Sequence, residues 1–216
     1  MVQRFIFTCI LSLFTGVVAG SASPDNFDVL HYEIRLDILD FSGKSINGKT
    51  TVTLTPLGNG LNSIELNLRK LNVDSVFIGE QALTNFTHSG DNLLIMLDQS
   101  YTNSDTIDLS VYYSGIPYNE SWGGFHYSGQ YAFNLGVGFD SYPPSLGKAW
   151  FPCADNFFDR ALYDFHIRVS ENKKAVCGGL LQSVTNHDDG THTFHWKMEK
   201  TIPTYLASVA VGEYVE

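Results

Sequence analysis

From Phe27 onward apolar residues alternate with polar ones, and a period of two makes strands, not helices, the main building element. Tyr32, Ile34, Leu36 and Ile38 interleave with Glu33, Arg35 and Asp37, so this strand has one apolar and one charged face. The pattern returns at Val52 and Leu54 among threonines, at Ile64, Leu66 and Leu68, at Leu93, Ile95 and Leu97, and at Ile107, Leu109, Val111 and Tyr113. Asn47-Gly48, Gly58-Asn59-Gly60, Gly90-Asp91-Asn92 and Asp189-Gly190 supply the tight reversals that antiparallel hairpins need. The rhythm breaks between about Pro117 and Phe158, where Gly123, Gly124, Gly136, Gly138, Pro143, Pro144 and Pro152 stand among many aromatics. Ordered but irregular structure is expected there. Strands resume at Tyr163 to Val169, at Phe194 to Met198 and at Tyr205 to Val211. Many short strands with such punctuation predict an all-β sandwich or barrel. With no repeat or flexible linker in view, one domain over residues 27–216 is the simplest division.

Residues 1–22 stand apart from this pattern. Arg4 precedes an apolar run from Phe5 to Val18, and Ala19-Gly20-Ser21-Ala22 offers small residues for cleavage, which reads as a signal peptide. The run is short of the roughly 20 residues a helix needs to span a bilayer, so no membrane span is expected after cleavage. Cleavage removes Arg4 and no acid, leaving 12 basic against 23 acidic residues and a net charge of −11. That surface disfavours nucleic acid and anionic lipid as partners. Export would place Cys153 and Cys177 where a disulfide can form, and the sequence leaves both the pair and two buried thiols open. Asn85-Phe86-Thr87 and Asn119-Glu120-Ser121 match the glycosylation pattern.

Catalytic chemistry is hard to find in the chain. A helical His-Glu-x-x-His places two zinc ligands on one face, and no His-Glu pair occurs here. His187, His192 and His195 cluster in sequence, but on a strand His192 shares a face with Phe194 and Trp196 while His195 points the other way. Ordinary hairpin histidines, not a metal site, are therefore expected. There is no Gly-x-Ser-x-Gly elbow, and no histidine close in sequence to activate Cys153. Asp155, Asp159 and Asp164 with Arg160 form the densest charged segment, best read as an ion pair fixing a turn.

The stretch Trp150-Phe151-Pro152-Cys153-Ala154-Asp155 through Arg160-Ala161 resembles the Phe-Pro-Cys-x-Asp-Glu-Pro-x-x-Lys-Ala signature of the aminopeptidase N family of zinc metallopeptidases. His31 to Leu36 is similar to that family's opening strand, Ile64 to Val76 to its Leu-x-Leu-x-x-Leu stretch, Gly124 to Tyr127 to a Gly-aromatic loop, and Pro203 to Gly212 to its closing strand. The resemblance implies a saddle-like antiparallel β-sandwich with an irregular aromatic-rich insertion. It makes Phe151, Pro152, Cys153, Asp155 and Arg160 a structural motif, although Asn156 and Phe157 replace the family's Glu and Pro. Family members carry a Gln and often an acid, which helps hold the substrate's free amine, ten to twelve residues before this Cys. Those positions here are Ser141 and Pro143, which leaves Asp140 as the candidate substrate contact.

The zinc ligands, the catalytic base and Gly-x-Met-Glu-Asn belong to the family's next domain and are missing from this sequence. The resemblance therefore implies the N-terminal part of an exported aminopeptidase acting on peptides. Zinc and catalytic residues would lie in a C-terminal catalytic partner domain, and this chain would bind no cofactor of its own. The alternative is a stand-alone secreted sandwich gripping a peptide or glycan with Trp122, Phe125, Tyr127 and Tyr131. A non-catalytic assembly scaffold would share the fold but fits poorly with a signal peptide.

Overall fold

The structure, a computed structural model, describes residues 26–214; the signal-peptide reading of residues 1–22 falls outside that range. In chain order the strands are β1 (Phe27–Asp40), β2 (Ser45–Pro56), β3 (Leu61–Asn67), β4 (Asn72–Ile78), β5 (Gln81–Leu83), β6 (Phe86–Ser89), β7 (Asn92–Tyr101) and β8 (Ile107–Gly115). They continue with β9 (Gly124–Ser128), β10 (Tyr131–Leu135), β11 (Ala161–Ser170), β12 (Lys174–Cys177), β13 (Leu180–His187), β14 (Thr191–Ile202) and β15 (Val209–Gly212). Eight of them form one large sheet in the order β13-β14-β11-β1-β2-β8-β4-β5, with a four-stranded sheet β12-β15-β10-β9 and a three-stranded sheet β3-β7-β6. The all-β, sandwich-like expectation holds. Among the described residues, no helix is long and apolar enough to cross a membrane.

Alternation decides which face each strand buries. Tyr32, Ile34, Leu36 and Ile38 of β1 and Tyr163, Phe165, Ile167 and Val169 of β11 are all at most 1% exposed, while their polar neighbours line the opposite face. The apolar faces of the three sheets merge into one core. At its centre the Tyr32 ring stacks on Tyr163 at 5.1 Å and meets Phe151 edge-on at 5.6 Å. Trp150 contacts Phe151 at 4.6 Å and Phe165 at 6.5 Å. Fully burying each such side chain contributes about 1.5–3 kcal/mol, so this cluster is a large part of what holds the sheets together.

Three details differ from the sequence reading. First, β1 pairs with β11 in parallel, His31 opposite Leu162, so the large sheet is mixed. By the time the chain reaches β11 it has built all three strands of one further sheet and two of the four strands of another, and no tight hairpin forces reversal. Second, the irregular stretch contains the hairpin β9–β10, whose alternation was hidden because aromatics occupy both of its faces. Third, only Val209–Gly212 of the expected closing strand is extended. Thr204–Leu206 forms a 3₁₀ turn after Pro203, closed by Leu206 N–H on the Pro203 carbonyl at 3.0 Å and Ala207 N–H on the Thr204 carbonyl at 3.1 Å.

The fully buried Tyr32 hydroxyl accepts the Ala154 N–H at 3.0 Å, which ties the central strand to the Trp150–Asp155 segment. A Tyr32→Phe substitution keeps the ring but leaves that buried donor unsatisfied. Urea unfolding should show a loss of about 1–3 kcal/mol with an unchanged slope.

Candidate functional site

The stretch from Lys148 to Asp155 crosses the junction of all three sheets. Asn67, at the end of β3, exchanges two backbone hydrogen bonds with Cys153 at 2.7 and 3.0 Å, and its side-chain oxygen accepts the Asp155 N–H at 3.1 Å. The Asp155 carboxylate lies within the fold, with Lys148 Nζ 3.2 Å from Oδ2 and the Thr204 hydroxyl donating to Oδ1 at 2.7 Å. Lys148 is 4% and Asp155 0% exposed at the side chain. The Lys148 contact lies off the line of a hydrogen bond, so it acts as a buried ionic contact. Gly147 makes the approach possible, because a Cβ there would sit 2.9 Å from the Thr204 Cβ and 3.0 Å from Asp155 Oδ1.

The ion pair of this segment therefore exists, but its cation is Lys148. Arg160, the expected partner, is exposed. Phe151, Pro152 and Cys153 are buried as a structural motif requires. Burial pushes the Cys153 and Cys177 thiols well above their ordinary values, and both are free. Two inert thiols, not a disulfide, are the outcome.

On the loop before this motif, Asp140 is exposed and its backbone N–H donates to Glu120 Oε1 at 2.9 Å. Ser141 donates to Glu120 Oε2 at 2.5 Å and accepts from Arg69 Nη1 at 2.8 Å. Arg69 also pairs with Asp91 and lies over the Tyr118 ring at 4.6 Å. Burial opposes ionisation of Glu120, but hydrogen bonds from Ser141, the Asp140 N–H and Tyr118 outweigh it and lower its pKa. Glu120 is the carboxylate that organises this loop, and the sequence reading did not single it out. A glutamate two residues after Tyr118 in a non-periodic stretch leaves no signal.

Exposed aromatics crowd the same loop: Phe139 is 81%, Tyr142 97% and Trp122 53% exposed, with Trp122 stacked on Phe139 at 6.2 Å. Of the aromatics proposed as a grip, Phe125 is core, Tyr127 is half-buried with its hydroxyl on the Ser45 carbonyl, and Tyr131 packs on Tyr214. They form no common exposed surface. Asn85 and Asn119 are exposed.

A second polar constellation lies on the outer face of the large sheet. His195 does point away from His192, yet it meets residues from other strands. Its Nε2 lies 2.5 Å from Asp164 Oδ1, and His31 Nε2 lies 2.9 Å from Asp164 Oδ2. The rings of His166 and His195 stack at 4.1 Å. Burial opposes ionisation of Asp164, but hydrogen bonds from His195 and His31 outweigh it and lower its pKa. Burial, then the charge of Arg35, pushes His166 down to about 4. His187 and His192 instead bond locally to Thr193 and Asn186.

Breaking a buried ion pair by removing one partner typically costs about 3–5 kcal/mol. Lys148→Met should lose stability on that scale in urea unfolding, and adding Asp155→Asn should recover part of the loss. An equal loss in Lys148→Met and in an exposed control such as Lys44→Met would contradict the assignment.

The model of the Peptidase M1 N-terminal domain matches residues 28–206. Leucine aminopeptidase 2 of Vanderwaltozyma polyspora is 25% identical over 195 residues, covering 88% of this chain and 29% of the relative. Transcription initiation factor TFIID subunit 2 of Drosophila melanogaster is 23% identical over 232 residues, covering 87% of this chain and 19% of its own length. The crystal structure of the M1 zinc metallopeptidase from Deinococcus radiodurans superposes with a TM-score of 0.78 at 21% identity, over 87% of this chain and 42% of that one. The chain thus spans under a third of the curated relatives it matches and under half of the solved structure. Its Trp150–Ala161 motif and all strands from β2 to β14 fall inside the matched range, and the chain belongs to the Peptidase M1 N-terminal domain family.

Proposed function

We propose that this domain is the N-terminal, non-catalytic part of an exported zinc aminopeptidase, where it forms one wall of the cleft that receives the N-termini of peptides. The observation that carries this reading is the edge bearing Trp122, Phe139 and Tyr142, exposed by more than half yet mounted on loops pinned by Glu120, Arg69 and the buried Lys148–Asp155 contact. Apolar surface held this rigidly marks a face meant to be covered. A following domain is the occupant that relatives several times longer suggest.

The residues beside that edge do not fit a zinc centre. The Glu120 carboxylate is taken up by the Ser141 hydroxyl and the Asp140 backbone N–H, and the nearby His126 has its Nε2 on the Gly123 carbonyl at 2.9 Å, which leaves the Asp140 carboxylate as a single oxygen ligand. Catalytic zinc sites need three protein ligands with one position open. The metal and base of the complete enzyme would come from the catalytic domain, and this domain's contribution would be position. Asp140, exposed at the rim, is the residue proposed to meet the substrate's amine in place of the acid absent at Pro143.

Two measurements test this reading. The chain assayed on aminoacyl substrates with added zinc should show no hydrolysis, and the same reading frame beyond Glu216 should encode His-Glu-x-x-His. Robust hydrolysis by the chain alone, or a frame without that motif, would overturn it. For the export part, a reporter fused after residue 22 should leave the cytoplasm; retention inside would refute it.

A further inference from the structure

We propose that the outer face of the large sheet binds one borderline divalent transition-metal ion, such as Zn²⁺, through Asp164, His166 and His195, with His31 beside them. The register brings these residues together. His166 and His195 are directly opposite across the antiparallel β11–β14 pair, where facing Cβ atoms are about 4.5–5.5 Å apart. Asp164 lies two residues before His166 and so shares its face. One ligand atom from each of the three lies within 4.8 Å of the others. Tetrahedral bonds of about 2.0–2.2 Å place ligand atoms roughly 3.4 Å apart. Closing that difference takes side-chain rotations on a face where these residues are 18–26% exposed.

The donor set has a definite preference. Two imidazoles and a carboxylate suit Zn²⁺, Co²⁺, Ni²⁺ or Cu²⁺, whereas Mg²⁺ and Ca²⁺ favour oxygen ligands. Asp164 is already the hub, taking His195 on one oxygen and His31 on the other at 2.5 and 2.9 Å. An ion entering between Asp164 and the stacked rings replaces the His195 hydrogen bond with coordination: the Nε2 proton is lost to solvent, and the neutral ring carries its single proton on Nδ1 instead. Glu33 adds a second carboxylate 3.7 Å from His166 Nε2, though Arg35 holds it at 2.5 Å. Lys197 faces Asp164 across the ladder and opposes the incoming cation. Binding in the micromolar range, not tighter, is therefore expected. The ion would clasp β11 to β14 and, through His31, would draw in β1, leaving an open position for water or an anionic ligand.

The test uses the full chain, freed of metal with a chelator and titrated with ZnCl₂ by calorimetry, with Co²⁺ absorption as a second readout. One ion per chain should bind, and Zn²⁺ at about 100-fold above Kd should raise Tm by about 5–10 °C. His166→Ala and His195→Ala should each weaken binding at least tenfold, with His166→Gln and His195→Gln as fallbacks if an alanine variant misfolds. The paired substitutions His187→Ala and His192→Ala, on histidines that bond only within the hairpin, should leave binding unchanged. No saturable binding up to millimolar Zn²⁺, or binding that survives loss of both His166 and His195, overturns the proposal.

Discussion

The pairing of Lys148 with Asp155, sealed from solvent, is the constraint on which the architecture turns. Beyond the 3₁₀ turn at Gly147–Ala149, the short segment between them has no regular secondary structure to satisfy its backbone, so its polar groups must find partners on the surrounding sheets. They do so at Asn67 of β3, at Tyr32 of β1 and at the Thr204 turn that leads into β15. Three sheets that share an apolar core could slide against one another, because burial has no direction. These directional bonds remove that freedom. They also fix where the loop from Gly136 to Leu146 emerges, and with it the aromatic edge.

Both faces of the molecule inherit this order. Along the large sheet, alternation sends aromatics inward to stack around Tyr32 and charged residues outward, where Asp164, Arg35 and Glu33 stand in rows set by the ladder. At the edge, Arg69 bridges Asp91 and Ser141, and Glu120 gathers the backbone and hydroxyl donors of the following loop. One surface is hydrogen-bonded within itself and the other is apolar yet rigid. On the function proposed above, the first is a solvent face and the second a docking face.

Strands that bury one face were legible in the sequence, because there the pleat and the apolar pattern coincide: Tyr32 to Ile38 and Tyr163 to Val169 are clear cases. β13 was not legible, since all eight of its residues are exposed at the end of the large sheet and nothing selects an apolar phase. The Trp150–Ala161 motif was found, but Lys148 as the partner of Asp155 was not, because contacts in irregular backbone leave no period to count. The outer-face cluster was half visible. Asp164 and His166 have the spacing of one face, but His31 and His195 join them only through the pairing of β1, β11 and β14, which is register information that a single strand does not carry.

The parallel pairing of β1 with β11 has a consequence for how the domain comes into being. His31 and Asp164 touch although 133 residues separate them, and the central strand of the sheet has only β2 beside it until β11 exists. Closing so long a loop costs entropy before the contact repays it, so topologies of this kind fold slowly. A nascent chain leaving the ribosome therefore carries β1 with one unpaired edge, apolar on one side, through most of its synthesis. That exposed edge is where a chaperone would be needed and where a premature stop would be most harmful.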